Sequence, residues 1–411
     1  MHDQFNGDKP LLLVFPYDVM AHYLRCLQLA IYFSPWFNIK FIYSARYHAF
    51  VAGAGFETFE AAALDADKVQ RCIQSFDFSW LNERDLSHIY KDQVRIIKQL
   101  KPAAVLGDMA PTLKMAAEKT GLCYLSLTNG YMSRHYAYVR RMPRSYPLYN
   151  LFSLLPTSLY TYFTNIGEHL YFQNIHRPFS KIRKCAGLSA KHSYMQELEG
   201  DVNLVCDLPE LFPQRDLPKN FLFIPPLFHP LDNHNEDFTT RLDAGRKTLF
   251  VSMGSTGEWK KVSFLNNTEY RQYNIVTAGD KYRIVKGVNV HAYDFINDSK
   301  VFSIIDLVIC HGGSGTCYQA LSYGIPVLGI ASHLEQEYNL DGLERCQLGK
   351  NLNDIPGNNY TALIEEMIDK KRNNAFTWIQ QKIALATSRF EETLPGIVTL
   401  SLNKHETNTS A

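Results

Sequence analysis

The sequence predicts an α/β protein with two domains, each built on a doubly wound parallel sheet. Three observations support this: the chain has 411 residues, short apolar runs alternate with helix-like segments, and the alternation restarts after a polar stretch. A chain of this length exceeds what one hydrophobic core usually organises. Short apolar runs separated by helices are typical of parallel strands buried on both faces. We therefore expect two domains that face a central cleft.

The first domain is predicted over residues 1–228. Its expected strands are, in chain order, PLLLVFP, IKFIYSA, AAVLGDM, CYLSLTN, VNLVCD and NFLFIPP. Helical spacing in AHYLRCLQLAIYF and in PTLKMAAEKTG, which Gly121 terminates, supplies crossovers between them. This βαβ alternation predicts a Rossmann-like arrangement.

A linker rich in Pro, Asn and His is predicted at residues 229–245, before the second domain at residues 246–385. In the second domain we expect a strand followed by a loop in KTLFVSMGST and in LVICHGGSGT, and strands in YNIVTAG, YRIVKG, VNVHAYDF and IPVLGIAS. The remaining residues, 386–411, have helical spacing, and we leave open whether they return to the first domain.

Composition excludes several classes of function. The net charge is +1, so no basic surface for nucleic acid is expected. The eight cysteines form no CxxC pair, so neither a zinc site nor a redox motif is predicted. The N-terminal MHDQFNGDKP lacks the apolar core of a signal peptide. We expect a reduced, cytoplasmic location.

Residues 145–167 form an uncharged segment with two prolines and many polar residues. A membrane-spanning helix needs roughly 20 mostly apolar residues, and this segment is too polar and too interrupted. We interpret it as short helices or loops that wall a pocket. A peripheral contact with a membrane surface is left open.

HGGSGT, at residues 311–316, ends an apolar run and precedes a helical pattern. A strand that ends in glycines and enters a helix exposes backbone N–H groups at the helix N-terminus, where the helix dipole favours an anion. The loop lacks the Gly-Lys-Ser/Thr of a P-loop. A second loop, MGST at residues 253–256, also follows a strand. The alternative to a phosphate site is a plain strand–helix turn.

The segment HGGSGTCYQALSYGIPVLGIASHLEQEYNLDGLERCQLG resembles the donor-binding signature of family 1 nucleotide-sugar glycosyltransferases, which have the GT-B fold. Macrolide glycosyltransferases and plant UDP-glycosyltransferases belong to that family. Weaker matches in LFVSMGST, NFLFIPPL and LLLVFPYDVMAHYLRCLQLA extend the resemblance over most of the chain. It implies an inverting transfer of a hexose from a UDP- or dTDP-sugar to an acceptor hydroxyl.

The resemblance also implies a set of donor-binding residues. The diphosphate would contact the loop, the sugar hydroxyls would contact an acidic-Gln pair, and an aromatic side chain would stack on the base. Gln319 stands where the family typically has a Glu that binds the ribose diol. The residues implied are Ser255, Phe295, His311, Gly313, Ser314, Gly315, Thr316, Gln319, Glu335 and Gln336.

His22 and Asp108 are the predicted catalytic residues. A neutral His can accept the acceptor proton near pH 7, and a carboxylate can orient it and stabilise its charged form. Both match the family's His–Asp pair, although Ala21 and Arg25 replace a typical Gly and Pro. The alternatives are an ordinary His near a helix start and, for Asp108, a helix N-cap. No metal ligands are predicted, so no metal or other cofactor is expected.

The acceptor is expected to be a small hydrophobic or lipid-like alcohol, because aromatic residues are frequent at residues 128–138 and 146–172. Two other functions remain open. One is a nucleotide-sugar epimerase on the same fold, and the other is a non-catalytic nucleotide-sugar-binding subunit. Fold alone does not separate them.

Overall fold

The computed structural model of the chain describes residues 9–74, 77–142, 144, 146, 148–228, 241–254, 256–294, 296 and 301–409. The chain divides into two compact units. The first comprises Met1–Leu227 and Ala386–Ala411, and the second comprises Phe228–Leu385.

The first unit contains a seven-stranded sheet in the order β3-β2-β1-β4-β5-β6-β7, and every pairing is parallel. The strands are β1 Leu11–Pro16, β2 Asn38–Ile42, β3 Glu57–Phe59, β4 Ala104–Asp108, β5 Cys123–Thr128, β6 Val202–Cys206 and β7 Phe221–Ile224. The helices are α1 Met20–Phe33, α2 His48–Gly53, α3 Ala66–Gln74, α4 Glu83–Leu100, α5 Leu113–Thr120, α6 Tyr149–Phe152, α7 Thr157–Ile175, α8 Arg177–Ala186 and α9 Tyr194–Glu197.

The second unit contains a six-stranded parallel sheet in the order β10-β9-β8-β11-β12-β13. Its strands are β8 Thr248–Ser252, β9 Asn274–Ala278, β10 Val290–Tyr293, β11 Leu307–Cys310, β12 Val327–Gly329 and β13 Gly349–Asn351. Its helices are α10 Ser314–Ser322, α11 Leu334–Arg345 and α12 Thr361–Arg372, followed by α13 Thr377–Thr409, which continues into the first unit.

The core of the first unit lies on both faces of its sheet, as the continuous apolar strands require. The four central residues of LLLVFP, Leu12 to Phe15, are almost fully buried. The C-terminal part of α13 belongs to this core, because Phe390 and Leu394 are buried in it. The ring centroids of Phe390 and Tyr32 lie 5.2 Å apart. Burial of these apolar side chains stabilises the unit by about 1.5–3 kcal/mol each.

Both sheets reverse their strand order at one place. β1 and β4 are neighbours in the first sheet, and β8 and β11 are neighbours in the second. In doubly wound sheets, ligands bind beyond the carboxyl ends of the strands at this reversal. The loops after β1 and β4, and those after β8 and β11, are therefore where each unit is expected to bind a ligand.

The predicted α/β class with two parallel sheets is confirmed, and the strand predictions hold except at YRIVKG. That segment forms turns, because the Asp280 carboxylate accepts hydrogen bonds from the N–H groups of Ile284 and Val285, both at 2.9 Å. Arg283 also has a φ of 50°, which a strand does not allow. Residues 145–167 also differ from expectation, because much of the segment belongs to the 19-residue helix α7, which begins directly after Pro156.

Candidate active and donor-binding sites

His22 lies in the first turn of α1, directly after β1, and Asp108 is the last residue of β4. Because β1 pairs with β4, and Pro16 is opposite Asp108, the two side chains meet at the end of the sheet. The distance from His22 Nδ1 to Asp108 Oδ1 is 2.9 Å. Asp108 does not cap α5, whose N-cap position is Thr112, so the helix-cap interpretation of Asp108 is wrong.

Arg25 is a third member of this group. It lies one turn after His22 on the same face of α1, and its guanidinium donates to both carboxylate oxygens of Asp108. Its Nη2 also lies 3.2 Å from His22 Nδ1. Asp108, the predicted partner of His22, is therefore shared between an imidazole and a permanently charged guanidinium.

The electrostatics of the group follow from its burial. Asp108 is 0% exposed and Arg25 is 7% exposed. Burial by itself raises the pKa of Asp108, but the charges of Arg25 and His22 and their hydrogen bonds outweigh it, so the pKa lies below its ordinary value. Asp108 therefore stays ionised at neutral pH and can stabilise a protonated His22.

Two further polar residues extend the group along the sheet. Arg25 Nη1 donates to Asn129 Oδ1 at 2.7 Å, and Asp207 Oδ2 accepts from the Gly130 N–H at 2.6 Å and from Asn129 Nδ2 at 3.4 Å. Sequence analysis did not single out Asn129 or Asp207. One signal could have found them: each directly follows a buried strand, as LTN and VCD, in the way that Asp108 ends LGD.

In the second unit, the HGGSGT loop connects β11 to α10. The helix begins at Ser314, its N-cap position is Gly313, and no side chain caps it. Gly313, Ser314, Gly315 and Thr316 are partly accessible. The loop thus has the features of an anion site: uncapped N–H groups at the positive end of a nine-residue helix.

His311 is packed tightly inside this loop. A Cβ on Gly254 would lie 2.5 Å from its Cε1, and one on Gly313 would also collide with the ring. Its Nδ1 is buried and has no hydrogen-bond partner among the residues described. Burial, and then the neighbouring His333, lower the pKa of His311 to about 4. The ring is therefore neutral at pH 7.

α11 supplies residues that support the loop and that sequence analysis did not single out. Asn339 Nδ2 donates to the carbonyl of Gly312 at 3.0 Å, and Gly312 has a φ of 87°. His333, the N-cap residue of α11, is buried, and its Nε2 lies 3.5 Å from Thr256 Oγ1. Its Nδ1, like that of His311, lacks a hydrogen-bond partner in the described part of the chain. His333 is therefore a further candidate for anion contact.

The other predicted donor residues have different surroundings. Gln336 is 1% exposed, its Oε1 accepts from the Ser332 N–H at 2.7 Å, and its Nε2 donates to Thr256 Oγ1 at 3.0 Å. Each of these atoms can form one more hydrogen bond, but the side chain is almost fully buried. Glu335 in the first turn of α11 and Gln319 on α10 are half-buried. Ser255 and Phe295 lie outside the described residues.

No group of three or more His, Cys, Asp or Glu side chains suited to a metal ion occurs among the described residues. Likewise, none of the described helices is long and apolar enough to cross a membrane.

The pKa of His311 predicts how stability depends on pH. The folded value of about 4 lies below the ordinary value of about 6.5, so the unfolded chain takes up this proton first. The contribution of His311 to the free energy of unfolding is complete above pH 6.5. It is lost as the pH falls towards 4, and the total loss is roughly 2–4 kcal/mol. Burial lowers the pKa of His333 too, so it acts in the same direction.

Urea unfolding of wild type and of His311→Gln at pH 7.5, 6 and 5 measures this effect. The variant should lose less stability between pH 7.5 and 5 than wild type does. His192→Gln, at an exposed position, serves as the control and should retain the wild-type dependence. Equal pH dependence in wild type and His311→Gln would show that His311 is not buried in its neutral form.

Sequence comparison connects these sites to known proteins. Residues 241–392 match the glycosyltransferase family 28 C-terminal domain. A PGL/p-HBAD biosynthesis glycosyltransferase of Mycobacterium tuberculosis is 27% identical over 274 residues, which cover 65% of this chain and 63% of that protein. A PGL/p-HBAD biosynthesis rhamnosyltransferase of Mycobacterium bovis is 24% identical over 349 residues, or 83% of this chain and 76% of that one. In sequence, the chain is therefore similar to these mycobacterial glycosyltransferases.

Solved structures give the same fold. The glycosyltransferase SnogD from Streptomyces nogalater superposes with a TM-score of 0.68 at 18% identity, covering 96% of this chain and all of that one. The spinosyn rhamnosyltransferase SpnG, in complex with thymidine diphosphate, superposes with a TM-score of 0.63 at 15% identity over 94% of this chain and 100% of that one. The predicted GT-B fold and the predicted resemblance to nucleotide-sugar glycosyltransferases are thereby confirmed. The chain spans 63% of the length of the mycobacterial glycosyltransferase.

Proposed function

We propose that this protein is an inverting glycosyltransferase that moves a hexose from a UDP- or dTDP-sugar to a hydroxyl of a small hydrophobic, lipid-like acceptor. The observation that carries the proposal is the contact of 2.9 Å between His22 Nδ1 and the buried Asp108 carboxylate. This contact occupies Nδ1 and leaves Nε2 as the proton-accepting atom. The names of the mycobacterial relatives, glycosyltransferase and rhamnosyltransferase, support a sugar transfer.

The proposed chemistry is a single displacement. His22 Nε2 takes the proton of the acceptor hydroxyl as its oxygen attacks the anomeric carbon, and the bond to the diphosphate breaks. Asp108 stabilises the charge on His22 during this step. The N-terminus of α10 stabilises the negative charge of the departing diphosphate, a contribution of about 0.3–1 kcal/mol at an exposed site and more at a buried one. No metal has a role in this scheme.

Donor binding is the first thing to test. Thermal unfolding with UDP, dTDP, GDP and NAD, each with Mg²⁺ and with EDTA, should show stabilisation by UDP or dTDP that does not depend on Mg²⁺. A ligand present at 100 times its Kd stabilises the folded state by about 2.7 kcal/mol. The thymidine diphosphate bound to SpnG makes dTDP the first candidate. Stabilisation by NAD alone, or by no diphosphate, would overturn the proposed donor site.

Product analysis then separates transfer from the alternatives. Incubation of the enzyme with a dTDP- or UDP-hexose and a panel of hydrophobic alcohols should release the nucleoside diphosphate and yield a glycoside of inverted anomeric configuration. Conversion of the sugar nucleotide without any acceptor would indicate an epimerase. Binding of the nucleotide sugar with no turnover of any acceptor would favour a non-catalytic subunit.

A further inference from the structure

Exposed apolar side chains are concentrated in one short part of the first unit. Of the seventeen large apolar side chains that are exposed among the described residues, eight lie between residues 148 and 170. We call these eight the apolar surface: Leu148, Leu151, Leu154, Leu159, Tyr162, Phe163, Ile166 and Leu170. Exposed apolar residues scattered singly are normal, whereas a concentration of them in one segment points to an interaction site.

Five members of the apolar surface follow helical spacing on α7, at residues 159, 162, 163, 166 and 170. Steps of three and four residues place them on one side of the helix. Other residues of α7 hold it to the protein: Tyr171 packs against Phe78 at 5.5 Å, and Ile175 is buried. The helix thus has one side fixed to the fold and a second apolar side that meets solvent.

The surrounding sequence is strongly basic. Residues 119–196 contain ten Lys and Arg but one acidic residue, Glu168, a net charge of +9. Since the whole chain carries +1, the rest of it carries −8. Some of these cations are neutralised by carboxylates, such as Arg183, which is buried and bonded to Glu118 and Glu197. Others are exposed, including Arg177 and Lys184.

We propose that the apolar surface lies on a membrane that contains anionic lipids. Its leucines and aromatic rings would enter the boundary between headgroups and acyl chains, and the basic side chains around it would approach the lipid phosphates. The described helices do not span a membrane, so the contact is peripheral. A second copy of the chain is a poorer occupant, because a twofold interface would bring exposed cations such as Arg177 and Lys184 of both copies to the same interface.

Vesicle co-sedimentation of the full chain tests this proposal. Binding is expected to vesicles of phosphatidylcholine with phosphatidylglycerol, and much less to phosphatidylcholine alone. Raising the salt concentration should weaken it, because the electrostatic part is screened. The measurement involves neither donor nor sugar transfer, so its outcome does not depend on the proposed function.

Two sets of substitutions identify the surface. Leu159→Ser with Ile166→Ser and Leu170→Ser should weaken vesicle binding by at least about tenfold, because three large apolar contacts are lost. Arg177→Gln with Lys184→Gln should reduce binding to anionic vesicles. All five side chains are exposed, so the thermal midpoints should remain close to that of wild type.

A matched control uses exposed apolar residues of the second unit. Tyr282 is 84% exposed and Val288 is 97% exposed, and Tyr282→Ser with Val288→Ser should bind vesicles as wild type does. Absence of wild-type binding to anionic vesicles, or undiminished binding by the leucine and isoleucine variant, would overturn the proposal. A concentration-dependent dimer that the same variant abolishes, without vesicle binding, would instead identify a self-association surface.

Discussion

Replacement of His22 by alanine is expected to lower kcat for sugar transfer by about 10²–10⁴-fold, the usual contribution of a general base. The affinity for the nucleoside diphosphate should not change, because the proposed diphosphate site lies on α10 of the second unit. Initial rates at saturating donor and acceptor measure the first quantity, and isothermal titration with dTDP or UDP measures the second.

His192→Ala is the matched control, since His192 is exposed and has no assigned role. It should retain wild-type kcat and wild-type diphosphate affinity. If His22→Ala transferred sugar at the wild-type rate, the assignment of the base would be wrong. If it lost diphosphate affinity instead, His22 would belong to the donor site.

Asp108→Asn is expected to lower the free energy of unfolding by about 3–5 kcal/mol, in addition to reducing kcat. The reason is Arg25, which is 7% exposed and hydrogen-bonded to both oxygens of Asp108. An amide leaves its buried positive charge without a compensating carboxylate. Urea unfolding at pH 7 measures the loss of stability.

A double-mutant cycle separates this effect from a general disturbance. Arg25→Met removes the charge but keeps an apolar side chain of similar length, so Asp108→Asn with Arg25→Met should be more stable than Asp108→Asn alone. If the loss of unfolding free energy in the double variant equalled the sum of the losses in the two single variants, Asp108 and Arg25 would not form a buried ion pair. Wild-type stability of Asp108→Asn would exclude the pair altogether.

Much of the fold could be predicted because local sequence determines it. Six-residue apolar runs such as LLLVFP leave little choice but a strand buried on both faces, and Gly121 ends α5 with a φ of 72°. The sequence analysis missed two strands and predicted one strand wrongly. It missed β3 and β13, which have three residues each, too few to show an apolar pattern. It predicted a strand at YRIVKG, which alternates like a strand but whose backbone N–H groups are hydrogen-bonded by the Asp280 carboxylate.

The candidate sites were predictable where one side chain marks a motif, as at His22, Asp108 and His311. The contacts of these sites were harder to predict where two secondary-structure elements meet. That Arg25 bonds to Asp108, 83 positions later, depends on the pairing of β1 with β4. That Gln336 is hydrogen-bonded to Ser332 and Thr256 depends on how α11 packs against the loop after β8. Hydrogen-bond partners of this kind are set by tertiary structure.

The shared carboxylate has a consequence for the proton cycle of His22. Its Nδ1 lies 2.9 Å from Asp108 Oδ1 and 3.2 Å from Arg25 Nη2. When Nδ1 carries a proton, it can donate a hydrogen bond to Asp108. When Nδ1 is unprotonated, it can accept a hydrogen bond from Arg25. The ring therefore has a partner in either tautomer and need not rotate when the tautomer changes. When both ring nitrogens carry a proton, Nδ1–H donates to Asp108, and Nε2–H is the proton that the imidazolium would return when a nucleoside diphosphate cleaves a glycoside in the reverse direction.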